Sequence, residues 1–188
     1  MQNYARGLGI VLEIADAAEN LKDELVLRKL SIADEASRLV KPGDVVLIDG
    51  GEVTTYLAGA LTAQNGITVI TNALAVMDVL RRQPEIALIS TGGLLRHESQ
   101  TLTGPTTEIA LRELRADKLF LAVTGVSLDF GLSHTNLAEV AVKQAMIRAA
   151  REVILLADHT RFEQESVVQV APLSNVDKVI TDTALPAS

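Results

Sequence analysis

Six short aliphatic runs recur along this chain with helical patterns between most of them, and this alternation limits the fold more than any other feature. The runs cover residues 45–48, 67–70, 86–89, 119–123, 153–157 and 179–180. They are nearly continuous in apolar character, which suits strands buried on both faces. The helical patterns fall at 32–40, 56–61, 73–80, 107–114 and 137–150. In the first, Ile32, Ala36, Leu39 and Val40 share a stripe. In the last, Val140, Ala141, Ala145, Met146 and Ala149 do so. Such alternation predicts an α/β domain: a mainly parallel, twisted sheet of about six or seven strands with helices on both faces. The run at 167–170 has no clear helix before it and is expected as an antiparallel edge or hairpin strand beside 179–180. Aromatic residues make up only 3% of the chain and Trp is absent, so the core is aliphatic.

The chain has 188 residues, the size of one domain, or of one domain with a small appendage. It has no cysteine, which excludes disulfides, thiol catalysis and Cys-ligated metal and fits a cytoplasmic protein. No apolar run approaches the roughly 20 residues of a membrane span, and no signal peptide is evident. A net charge of −7 argues against nucleic-acid binding by these residues, because phosphate backbones require a basic face. Residues 1–29 carry scattered apolar positions and the loose pair Gly7 and Gly9. They are expected as a connector that packs against a domain spanning 30–188, with a further segment preceding them in the natural protein.

Ligands of doubly wound sheets sit beyond the carboxyl ends of the strands, and here every such end is polar. The first is Asp49-Gly50-Gly51, followed by Thr54 and Thr55. Next come Thr71-Asn72, Thr91-Gly92-Gly93, Thr124-Gly125, Asp158-His159-Thr160 and Thr181-Asp182. Six polar ends on one edge point to a shared ligand crevice. In the first, a strand meets a Gly-rich turn that opens a helix. The glycines permit close backbone approach and the helix start presents unpaired amides, so a small phosphorylated ligand held largely by backbone fits, with Thr54 and Thr55 as hydroxyl donors. The plain alternative is an ordinary βα turn with Thr54 as N-cap. A phosphate also needs a cation. Lys143 is a candidate, although Glu139 lies at i,i+4 and the two could simply pair on a solvated face. Arg96 and His97 are other candidate donors.

Support for catalysis is thin. There is no nucleophile elbow, no metal-spaced His pair and no Walker lysine. His97, His134 and His159 lie far apart in sequence. Asp49 could act as a general base, but a strand-end Asp before two glycines more often stabilises a turn or binds a ligand. Gly50-Gly51 is not a dinucleotide fingerprint.

The motifs occur in an order that resembles the C-terminal effector-sensing domain of the DeoR-type family of bacterial sugar-metabolism transcription repressors. Lys29-Leu30-Ser31-Ile32-Ala33 leads the first helix, and Asp49-Gly50-Gly51 is similar to the family's Asp-x-Gly loop. Val69-Ile70-Thr71-Asn72, Thr91-Gly92-Gly93, Leu102-Thr103-Gly104-Pro105 and Gly131-Leu132-Ser133 follow. Glu139 and Val142-Lys143-Gln144-Ala145-Met146-Ile147 match the family's Val-Lys-x-Ala-Met-Ile helix. The likeness runs from about residue 6 to 182.

The resemblance implies a fold related to ribose-5-phosphate isomerases and glucosamine-6-phosphate deaminases, used for sensing. It implies a phosphorylated sugar as effector, no cofactor, no metal and no catalytic turnover. It implies a homodimer or homotetramer, with DNA contacted only through an N-terminal winged helix-turn-helix that these residues do not hold. Carried over by position, Asp49, Gly50, Gly51, Thr54, Thr55, Thr71, Asn72, Gly92, Gly93 and Gly125 would line the ligand, Lys143 would supply the cation, and Glu139 would orient Lys143 or meet a sugar hydroxyl. One departure stands out. Glu52-Val53 follows the loop where the family carries Thr or Ser, and a carboxylate there repels phosphate unless it points away. Two other readings remain: an isomerase or deaminase on the same fold, using Asp49 or Glu139 to move a proton, and an oligomerisation module with a vestigial pocket.

Overall fold

A computed structural model describes residues 24–184. The first helix, α1 (Glu24–Ser37), packs its Ile32, Ala33 and Ala36 inward. It takes in residues 24–29, expected from sequence as connector; residues 1–23 lie outside the described residues. Then follow β1 (Val45–Ile48), α2 (Glu52–Leu61), β2 (Ile67–Thr71), α3 (Leu74–Leu80), β3 (Ile86–Ser90), β4 (Leu94–Arg96), β5 (Thr101–Thr103) and α4 (Pro105–Glu113). The chain continues through β6 (Ala116–Leu121), β7 (Gly125–Ser127), β8 (Gly131–His134), α5 (Leu137–Ala149), β9 (Ala150–Leu156), β10 (Val168–Ala171) and β11 (Lys178–Ile180).

Six strands form one parallel sheet in the order β11-β9-β6-β1-β2-β3. These are the six aliphatic runs of the sequence. Successive side chains alternate between faces, so Val46 and Ile48 join α1, α2 and α3 in one apolar layer. Leu47 joins Leu111 of α4 and Val142, Ala145 and Met146 of α5 in the other. Central residues such as Leu47, Phe120 and Leu119 are fully buried. The sheet is covered by helices on both faces, as the unbroken strand pattern requires.

The run at 167–170 behaves differently from expectation. As β10 it pairs antiparallel with β8, in a separate three-stranded sheet of order β10-β8-β7, and not with β11. β11 already lies parallel to β9. The β7–β8 hairpin, which contains few aliphatic residues, supplies the edge that β10 needs, and Gln144 of α5 anchors it by donating to the Val170 carbonyl (3.2 Å). The small hairpin β4–β5 was likewise not expected from its sequence.

The C-terminal edge is tied to α1. Arg28 donates to Asp182 Oδ1 (3.1 Å), and Asp182 also accepts from the amides of His159 (2.8 Å) and Ala184 (2.9 Å) and faces the His159 ring at 3.1 Å. Burial alone would raise the Asp182 carboxyl, but these donors outweigh it and hold the group down at about 2, against 3.8 ordinarily. A lowered carboxyl stabilises the fold fully above its unfolded pKa, and the stabilisation disappears as pH falls through the folded value. Asp182→Asn should therefore cost about 2 kcal/mol at neutral pH, with the difference from wild type vanishing between about pH 4 and pH 2. Urea denaturation across that range is the measurement.

Candidate ligand-binding site

The strand order places a crevice. From β1 the chain runs outward through β2 and β3 on one side, and through β6, β9 and β11 on the other. The order reverses between β1 and β6, and a parallel sheet opens a cleft beyond the strand ends at such a point. Asp49-Gly50-Gly51 leaves β1 there, beside Ala122, Val123 and Thr124 leaving β6.

Asp49 and Lys143 bolt the floor of this crevice. Lys143 Nζ lies 2.5 Å from Asp49 Oδ2 and donates to the Ala122 carbonyl at 2.9 Å. Asp49 Oδ2 also accepts from the Ala122 amide (3.2 Å), and Oδ1 accepts from the Gly50 amide (2.8 Å). Both residues are only 2% exposed. Lys143 therefore does not pair with Glu139 on a solvated face, as the i,i+4 spacing allowed. It reaches across the sheet edge and fixes the loops after β1 and β6 to each other. An ammonium has three donors, and two of them are in use here.

The loop then turns into α2. Gly51 is the N-cap and makes no side-chain cap bond, so Thr54 is not the cap. The hydroxyls of Thr54 and Thr55 point inward and donate to the Gly51 carbonyl at 2.9 Å and 2.7 Å. They hold the loop's shape and do not act as outward donors. The first ladder bond is Thr55 N to Gly51 O (3.0 Å), so the amides of Glu52, Val53 and Thr54 precede it and carry the helix's partial positive charge. Gly50 approaches the β4–β5 hairpin so closely that a Cβ there would sit 2.4 Å from Thr101 Cγ2. Glu52 points toward α1: Lys29 Nζ lies 2.5 Å from Oε2, and Tyr56 donates to Oε1 at 3.0 Å. Burial, aided by Glu52, pushes the Tyr56 phenol up to about 12.

Three cavities meet at Gly51. The largest, about 570 Å3, lies between Gly50-Gly51, the hairpin residues Arg96 to Thr101, and His134 to Glu139. A second, about 140 Å3, is lined by Lys29, Glu52, Thr124, His134, Asp158 and Arg161. A third, about 280 Å3, lies toward Tyr56, Ala73 and Ser99. On the wall of the largest, Glu139 faces His134 Nε2 at 3.2 Å and Arg96 Nε at 3.3 Å, the latter a charge contact too poorly aligned to be a hydrogen bond. Arg96 also reaches Glu98 (3.0 Å). The His134 hydrogen bond, with Lys143 and the Ser99 hydroxyl nearby, favours the charged carboxylate, and Glu139 titrates below the usual range despite partial burial. Asn136 caps α5 through its Oδ1, which accepts from the amides of Ala138 and Glu139.

The three cavities thus bring together Gly50, Gly51, Thr55 and Glu139, with Asp49 and Lys143 beneath. Other residues singled out from sequence serve elsewhere. Thr71, fully buried, donates to the Ile48 carbonyl (2.7 Å) and staples β2 to β1. Asn72 Nδ2 donates to the Leu102 carbonyl (3.0 Å), while its buried Oδ1 has no hydrogen-bond partner among the described residues. Gly92 and Gly93 form the root of the β4–β5 hairpin against Thr107, and Gly125 packs on Gln164 and Ser133. None of these five lines the three cavities. Lys29, Ser99, His134 and Arg161 do line them and were not singled out as ligand contacts. They come from segments whose convergence depends on the fold, and no local motif marks them. Among the described residues, no group of His, Asp and Glu could hold a metal ion, and no helix is long and apolar enough to cross a membrane.

This geometry agrees with the comparisons. Residues 25–183 match the DeoR C terminal sensor domain family, and the chain belongs to it. It is similar to the uncharacterized HTH-type transcriptional regulator YulB of Bacillus subtilis (strain 168), at 34% identity over 87% of this chain and 63% of that protein. It is also similar to the putative aga operon transcriptional repressor of Escherichia coli O157:H7, at 30% identity over 85% of this chain and 59% of that protein. The chain therefore spans about three fifths of the length of these relatives. Among solved structures, ribose 5-phosphate isomerase A from Methanocaldococcus jannaschii shares the fold with a TM-score of 0.52 at 18% identity, over 71% of this chain and 53% of that one.

Proposed function

We propose that this chain is the effector-sensing part of a transcription regulator, and that its effector is a phosphorylated sugar bound over Gly50-Gly51. The observation that carries the reading is the start of α2: Gly50, Gly51 and the first helical residues Glu52 and Val53, whose amides precede the helix ladder, line the switch-point crevice, with Lys29, Arg96 and Arg161 around it. Backbone amides with a helix dipole suit a phosphate. The larger cavity, walled by Arg96, Ser99, His134, Asn136 and Glu139, offers donors and acceptors for a hydroxyl-rich body. Lys143 acts as a positioning residue beneath the loop, with at most one N–H left for the ligand.

Sensing without turnover fits the state of the ionisable groups. Asp49 is locked to Lys143, and Glu139 is held charged between His134 and Arg96. The second reading, a sugar-phosphate isomerase, draws on the Glu139–His134 pair facing the largest cavity, and an isomerisation assay separates the two. Contact with DNA belongs to other parts of the full-length regulator, since this chain carries a net charge of −7. The effector shifts operator binding only by its affinity difference between DNA-competent and incompetent states, in a cytoplasmic homodimer or homotetramer.

Thermal denaturation in the presence of phosphorylated sugars and their unphosphorylated parents tests the reading. A phosphorylated sugar at 100 times its Kd should stabilise the chain by about 2.7 kcal/mol, and its parent at the same concentration far less. A panel in which no phosphorylated sugar raises Tm would reject the phosphate reading.

A further inference from the structure

We infer that Glu52 is the residue that sets the site's affinity for anions, because it occupies in advance the cation that a bound phosphate needs. The inference rests on the phosphate reading above and adds which charges must rearrange. Lys29 is 7% exposed, and its ammonium meets one carboxylate, Glu52, at 2.5 Å. Glu52 itself is half-exposed, with its side chain 48% accessible. Both residues line the same 140 Å3 cavity as Gly50, Gly51 and Arg161. Arg161 is only loosely engaged there, 3.8 Å from Asp158 Oδ2.

Among the described residues Glu52 is the one ion-pair partner of this buried cation, and a cation paired with a half-exposed carboxylate can change partners. An anion entering this cavity meets Lys29 and Arg161 as attractive charges and Glu52 and Asp158 as repulsive ones; Asp158 is buried and held in place by Thr160, so of the two carboxylates only the half-exposed Glu52 is free to leave. Coulomb energies at contact distance are substantial in a partly desolvated cleft. The anion therefore binds as Glu52 swings out to solvent, which its exposure allows, and Lys29 turns from Glu52 to the ligand. No covalent bond is made or broken; one ion pair replaces another, and the Tyr56 hydroxyl gives up its hydrogen bond to Glu52. Glu52 is the first residue of α2, directly after the glycine loop, and Lys29 belongs to α1. The exchange thus replaces the ion pair between the ligand loop and α1 with one that runs through the ligand.

A purely structural ion pair and a resident competitor give opposite signs on removal. Inorganic phosphate is titrated at neutral pH and constant ionic strength, which fixes screening, with Tm and the Gly50 and Gly51 amide resonances followed in the 188-residue chain. Glu52→Gln, with Glu52→Thr as a second variant, should bind phosphate about tenfold more tightly than wild type, and Lys29→Met about tenfold more weakly. Unchanged or weaker binding by both Glu52 variants would overturn the inference, as would unchanged binding by Lys29→Met. If sugar phosphates shift the wild type while Glu52→Gln gains nothing, only this inference fails. If neither sugar phosphates nor inorganic phosphate shift any of the proteins, the phosphate reading fails with it.

Discussion

Lys143→Met should lose about 3–5 kcal/mol of stability, the cost of leaving a buried carboxylate without its counter-charge. Asp49 and Lys143 are each 2% exposed and 2.5 Å apart, so neither charge can be recovered by water. Asp49→Asn should be costly for the same reason. The double variant Asp49→Asn/Lys143→Met should recover a large part of either loss, because a buried ion pair replaced as a unit is often nearly neutral. Urea denaturation of the four proteins gives the coupling energy directly. Additive losses would show that the pair does not act as a unit. The same double variant separates folding from sensing: if it folds but no longer responds to the sugar phosphate that stabilises wild type, the pair is needed to shape the loop.

Gly93→Ala should lose about 3 kcal/mol through combined backbone strain and overpacking. Gly93 has φ +125°, and a Cβ there would lie 2.1 Å from Thr107 Oγ1 and 2.7 Å from the Thr103 carbonyl. Thr107 is itself committed, donating to the Gly92 carbonyl at 2.6 Å. Gly93→Ala/Thr107→Ala would remove the side-chain clash but not the backbone one, so it should recover little. Thermal unfolding of the single and double variants tests this, and a loss below the ordinary cost of a surface substitution would contradict it. The hairpin rooted at Gly93 carries Arg96, so the variant should also weaken ligand response.

The central sheet was legible because its strands are aliphatic on both faces, and no competing pattern explains runs such as 45–48 or 153–157. The crevice was legible for a related reason: a parallel sheet puts every strand's polar exit on one edge. What stayed hidden lies in short segments. β7 and β8 hold few aliphatic residues, so the sequence offers β10 only 179–180 as a neighbour. Lys143 shows the limit of spacing. Glu139 at i,i+4 is a sound local partner, yet α5 turns Lys143 into the core, where Asp49 lies 94 residues away in sequence. Glu52 shows the same limit, because its direction is set by Lys29 on α1. Thr54 and Thr55 show it again: a hydroxyl in the first turn of a helix can donate back to the cap carbonyl as readily as outward, as both do here. Gly92, Gly93 and Gly125 mark close packing, and sequence does not distinguish that use of glycine from ligand approach.

The most direct test of the central claim is to read the sugar-phosphate titration residue by residue, from the amide resonances of the labelled chain. A phosphorylated sugar that raises Tm should shift Gly50, Gly51, Glu52, Val53 and Thr54 first and most, with smaller changes at Arg96, His134 and Arg161. Its unphosphorylated parent should leave the α2 amides unmoved. Stabilisation accompanied by shifts centred elsewhere, with residues 50–54 unchanged, would contradict the placement of the phosphate at the start of α2.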